Sequence, residues 1–161
     1  MRILLVALVC LSACSKKPPP PGKVVTVASA CDEKSGTEVQ VTGWFRFPRT
    51  MMAFCSSYGG KKTCDMYLYP DEAPPPDRNL LAKEKDERPR IKLSVPVGDD
   101  PGEMDELPKT YSDKDVVLHL AKNRKGGEGS KVTIHGKMTI VDPVGPQAEK
   151  ACWLDVAWAA E

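Results

Sequence analysis

Two segments restrict the fold more than anything else in the chain: EVQVTGWFRF at residues 38–47 and KVTIHGKMTIV at residues 131–141. Each alternates apolar and polar side chains, the period of a strand with one buried face. The first places Val39, Val41, Phe45 and Phe47 on one face and Gln40, Thr42, Trp44 and Arg46 on the other. The second sends Val132, Ile134, Met138 and Ile140 inward, with Thr133, His135, Lys137 and Thr139 outward. Both carry a mid-strand glycine, Gly43 and Gly136. Glycine weakens a flat strand but permits a bulge or sharp bend, which a long strand needs where a small sheet curls round on itself. Shorter strands are predicted at CDMYLY, RIKLSV, DVVLHL and CWLDVAW. The expected fold is mainly β, a small barrel of five or six strands with one or two short helices.

The connections are read from their breakers. PDEAPPPDRNLLAKEKDERPR, an insertion at about residues 70–90, has prolines that forbid regular structure as far as Pro76. Asp77 is then expected to N-cap a short helix from Arg78 to about Glu87, with Pro89 as its stop. GDDPGEMDELPKTYSDK is acidic and punctuated by Pro101, Gly102 and Pro108, so it is expected to be a solvated loop with at most one helical turn. Its acids, Asp99 to Glu106, lack the oxygen spacing of a helix-loop-helix calcium site. KNRKGGEGSK is expected to be a flexible hairpin connection, with Gly126 and Gly127 supplying the freedom.

The N-terminus points to a compartment. Arg2 precedes an apolar run from Ile3 to Leu11 and then small residues, the order of an export signal. The run is too short to span a bilayer, which takes about 20 residues as a helix. Its end, Leu11-Ser12-Ala13-Cys14, resembles the lipobox of bacterial lipoproteins. That resemblance implies a signal peptide at residues 1–13, cleavage before Cys14, and acylation of Cys14, palmitate-type chains among its acyl groups. Residues 14–23, with four consecutive prolines, then form a semi-rigid tether, and residues 24–161 form the folded domain. Each buried methylene contributes about 0.8 kcal/mol to membrane affinity, so several chains on one cysteine hold a domain at the bilayer. Ser15 in the second mature position resembles lipoproteins sorted to an outer membrane, facing the periplasm.

Export bears on charge and on cysteine. Cleavage removes Arg2 and no acid, so the mature chain carries 22 basic and 22 acidic residues. Neutrality argues against a broad hold on nucleic acid, which depends on clustered Lys and Arg. Four cysteines remain beyond Cys14: Cys31, Cys55, Cys64 and Cys152. In an exported chain an even number reads as two disulfides, with three pairings open. Cys55 and Cys64 flank the turn-rich SSYGGKKT and are expected to pair, which leaves Cys31 with Cys152. The second bridge closes a long loop and contributes on the order of 4 kcal/mol in the chain-entropy account. Zinc is the weaker reading, because no two cysteines stand two residues apart.

VQVTGWF, VTIHGKM and the final CWLDV are together similar to the first, fourth and fifth strands of OB-fold domains. More narrowly they resemble the tRNA-anticodon-binding-like OB-folds of exported proteins and lipoproteins. The resemblance spans about residues 24–158; the insertion at 70–90 and the strand near Val116 depart from a minimal five-stranded pattern. It implies a binding face on the outer side of neighbouring strands, here Trp44, Arg46, Tyr67 and Tyr69, able to stack on rings and hold an anionic or sugar group. The competing reading makes the same aromatics a second small core beneath the insertion.

No nucleophile elbow, HExxH helix or P-loop is present in the sequence, so no enzyme activity, cofactor or metal is expected. His119 and His135 fall on outward positions and read as solvated strand residues. The function expected is a non-enzymatic binding or scaffold module of the cell envelope. Its partners are the membrane, through the lipid, and an envelope protein or glycan; a nucleic-acid or nucleotide binder is the alternative.

Overall fold

The computed structural model describes residues 17–47, 55–74, 88–142 and 151–161. Cys14, the signal segment and the helix expected at residues 78–87 lie outside the described residues. Nine strands occur among the described residues: β1 (Lys23–Val25), β2 (Glu38–Arg46), β3 (Cys55–Tyr58), β4 (Lys61–Tyr69), β5 (Ile91–Pro96), β6 (Val117–Leu120), β7 (Arg124–Gly127), β8 (Lys131–Val141) and β9 (Ala151–Ala160). Helical structure there is confined to single 3-10 turns.

The fold is mainly β, as the alternation requires. Five of the strands form a ring of pairings: β2 with β8, β8 with β9, β9 with β5, β5 with β4, and β4 back to β2. All are antiparallel except β5 and β9. The strand count exceeds the expected five or six because β1, β3 and β7 add to the six segments read from alternation. β1 and β3 are short strands at the two ends of the main sheet, and β7 pairs with β6 in a separate two-stranded sheet.

The two mid-strand glycines do what their positions suggested. β2 pairs with β8 from Glu38 to Trp44 and with β4 from Trp44 to Arg46, so it is handed from one neighbour to the other at Gly43 and Trp44. A Cβ on Gly43 would lie 2.5 Å from the Tyr69 carbonyl oxygen. Gly136 sits where the β8–β9 register shifts, and a Cβ there would lie 2.2 Å from the Asp155 carbonyl oxygen. No side chain fits at either crossing; glycine lets the backbones touch where the sheet bends.

Inside the ring the inward positions interdigitate: Val39, Val41 and Phe45 from β2, Met66 and Leu68 from β4, Ile91, Leu93 and Val95 from β5, Val132, Ile134 and Met138 from β8, and Leu154 from β9 are all buried. Burial of that many large aliphatic side chains, at about 1.5–3 kcal/mol each, is the main source of stability. Two disulfides join Cys55 to Cys64 across the β3–β4 hairpin, and Cys31 to Cys152 at the start of β9.

Two expectations about connections are overturned. The acidic segment after β5 is no solvated loop: Met104 is fully buried and bridges Val97 on one side and Leu118 on the other. Met104, with Leu107 and Tyr111 packed against the core beside it, draws that segment inward. The KNRKGGEGSK stretch contains β7, whose Gly126 and Gly127 pair with Leu118 and Val117. The reversal occurs instead at Lys122 and Asn123, both in the left-handed region with φ of 61° and 58°, a conformation asparagine tolerates well.

Candidate functional site

The four residues expected to form a binding face are brought together on the outside of the ring. Trp44 stands opposite Tyr69, and Arg46 opposite Tyr67, where β2 meets β4. The Tyr67 and Tyr69 rings lie 6.5 Å apart, edge to face. Two arginines from the segment before β5 cover them, Arg90 at 5.2 Å from the Tyr67 ring and Arg88 at 4.9 Å from the Tyr69 ring. Arg88 also donates to Asp71 Oδ1 and to the carbonyls of Ala73 and Pro74, which ties the start of the insertion across this face. As a result Tyr69 is buried while Trp44 and Tyr67 remain half-buried.

Arg46 does not reach solvent as an outward strand position suggests; its side chain is 9% exposed. Its Nη1 donates to Glu128 Oε1 at 3.4 Å, and its Nη2 donates to the Glu72 carbonyl. Glu128 Oε2 also accepts the Phe47 backbone N–H at 2.5 Å. Arg46 Nε is buried with no hydrogen-bond partner among the described residues. Burial pushes the Glu128 carboxyl above the ordinary glutamate range, outweighing the opposing pull of the Phe47 N–H and the Arg46 charge. This pair fastens the β7–β8 turn, the end of β2 and the first residues of the insertion to one another. The exposed portion of the expected face is therefore Trp44 and Tyr67.

The histidines diverge from the expectation of solvated strand residues. His135 lies edge-on to Trp158, ring centres 4.9 Å apart, with Nδ1 buried and without a partner among the described residues. Burial pushes its imidazole below the ordinary histidine range, so it favours the neutral form. His119, on β6, meets the acidic segment: its Nε2 lies 2.6 Å from Asp105 Oδ1 and 3.9 Å from Asp99 Oδ1. Lys125, one strand over, places its Nζ 3.5 Å from Asp105 Oδ2. The hydrogen bond with His119 is the main cause that holds the Asp105 carboxyl below the ordinary aspartate range; burial opposes it, and the nearby charge of Lys125 adds to the lowering.

The backbone explains why these groups meet. Gly102 N–H donates to the His119 carbonyl, His119 N–H donates to the Glu103 carbonyl, and Asp105 N–H donates to the Val117 carbonyl. The acidic segment thus runs beside β6 through an isolated antiparallel bridge from Met104 to Leu118, with Met104 as its anchor. Sequence reading missed the cluster because the residues are 14 apart; the usable signal was Met104, the apolar residue that fixes the segment's register.

Compared with known proteins, the chain matches no family model, no curated protein and no solved structure. Among the described residues no helix is long and apolar enough to cross a membrane.

Proposed function

We propose that this protein is an exported lipoprotein, anchored through Cys14, whose ring of strands is an OB-like barrel serving as a non-enzymatic binding module of the cell envelope. The observation that carries the reading is the pair of disulfides on a chain that opens with a signal-like segment ending in Leu-Ser-Ala-Cys. Disulfides persist in oxidising compartments outside the cytoplasm. The barrel reading draws support from the order of pairings: β2 is shared between β4 and β8, and β5 runs parallel to β9. Under the OB resemblance β2, β8 and β9 are the first, fourth and fifth strands. The binding face centres on Trp44 and Tyr67, and its partner is an envelope protein or glycan that presents a ring or sugar face to them.

The deciding experiment is the intact mass of the protein extracted from native membranes. The expected mass is that of residues 14–161 plus a diacylglycerol and an acyl chain, with four hydrogens gained on reduction. Retention of residues 1–13, or free thiols without lipid, overturns the reading. The face is tested separately by Trp44→Ala and Tyr67→Ala, which should remove partner cross-linking in cells while leaving the melting temperature nearly unchanged; unfolding instead assigns both residues to the core.

A further inference from the structure

We propose that Asp99, Asp105 and His119 bind one divalent transition-metal ion of the zinc class, a site independent of the anchor and of the Trp44–Tyr67 face. The donor atoms of the three side chains all lie within 4.8 Å of one another. A cluster of carboxylates alone selects nothing. Here an imidazole nitrogen joins them, on a side chain only 13% exposed and aimed at both acids. One imidazole with two carboxylates suits zinc, nickel or cobalt, whereas magnesium and calcium take oxygen donors.

The spacing suits such an ion. Bonds of about 2.0–2.2 Å at tetrahedral angles set neighbouring donors about 3.3 Å apart. The observed separations from His119 Nε2, 2.6 Å to Asp105 and 3.9 Å to Asp99, fall on either side of that value. Small side-chain rotations of the two acids bring both to it. Two ligands are held in place beforehand, because the backbones of His119 and Asp105 are hydrogen-bonded between the acidic segment and β6. The third, Asp99, is 99% exposed and free to close over the ion. A fourth position is left for water or for a donor from a partner.

Lys125 is the built-in competitor. Its ammonium stands 3.5 Å from the second oxygen of Asp105, where it neutralises part of the charge that draws a cation. It is 58% exposed, so its removal leaves no buried gap.

The test is calorimetric titration of the untagged full chain with Zn²⁺, Ni²⁺ and Mg²⁺. One equivalent of Zn²⁺ or Ni²⁺ should bind per chain, and Mg²⁺ should not. Asp99→Asn should weaken Zn²⁺ binding by about tenfold or more at a nearly unchanged melting temperature, since that side chain is 99% exposed. His119→Asn should abolish it, Lys125→Met should tighten it, and His135→Asn should leave it as it was. Absence of saturable one-to-one binding in both the native chain and Lys125→Met overturns the proposal, as does binding that Asp99→Asn and His119→Asn leave unchanged.

Discussion

Arg46 with Glu128 and His119 with Asp105 are both pairs of a basic with an acidic side chain, yet they are built for different ends. The first is sealed, with side chains 9% and 10% exposed; Arg46 Nη2 and Glu128 Oε2 turn to main-chain groups of Glu72 and Phe47, and Arg46 Nε is left buried without a partner among the described residues. The second is open on one side, with Asp105 36% exposed and a second carboxylate, the 99% exposed Asp99, beside it. A sealed pair costs desolvation on both partners and offers nothing to a ligand. An open pair costs little and keeps its lone pairs within reach. The difference teaches that burial, rather than the residue types, separates a fastening from a site.

The largest effect should come from breaking the sealed pair on one side. Arg46→Met leaves Glu128 buried without its cation and should cost about 3–5 kcal/mol, read from urea unfolding. A loss below about 1 kcal/mol, typical of exposed pairs, would erase the distinction between the two regions. Removing both charges is the sharper test: Arg46→Met with Glu128→Leu should recover most of the stability lost by the single change. A double variant no more stable than Arg46→Met would mean that the charges themselves are needed.

Acid should move the two regions in opposite directions. The Glu128 carboxyl is raised in the folded chain, so its ionised form is the destabilised one. Its contribution to stability therefore increases as the pH falls through its raised folded value toward the ordinary glutamate value near 4.5. Asp105 is lowered, so it stabilises above the ordinary aspartate value near 3.8, and that contribution disappears as the pH falls through its folded value. Unfolding midpoints measured against pH for Glu128→Gln and Asp105→Asn should show the two opposite slopes missing in turn; equal profiles would refute the assignment. The smallest effect belongs to His119→Asn, which should cost about 1 kcal/mol or less, because its partner keeps solvent access.

How much of this was legible in the sequence depended on what each feature leaves behind in residue order. Alternation made β2, β4, β5, β6, β8 and β9 readable, and the mid-strand glycines marked both bends. β7 was not readable, because Arg-Lys-Gly-Gly has no apolar face to alternate; its pairing is imposed by β6. Arg46 read as outward because a charged residue next to Phe45 satisfies the alternation. Only the β7–β8 turn, which brings Glu128 over it, makes it interior. The aromatic grouping of Trp44, Tyr67 and Tyr69 followed from strand parity, whereas its cover by Arg88 and Arg90 required knowing how the chain re-enters at β5. The meeting of His119 with Asp105 depends on the placement of Met104, a tertiary fact.

The bridge between Cys31 and Cys152 spans 121 residues. Beyond restricting the unfolded chain, it decides where force travels. A pull applied to the two ends of the chain runs along the polypeptide only to Cys31, crosses the sulfur–sulfur bond, and leaves through β9. The ring strands β2, β4, β5 and β8, with the His119 cluster, lie on the slack side of that shortcut. Single-molecule stretching should therefore extend the oxidised protein by little more than its terminal segments, and reduction should release the rest as additional contour length.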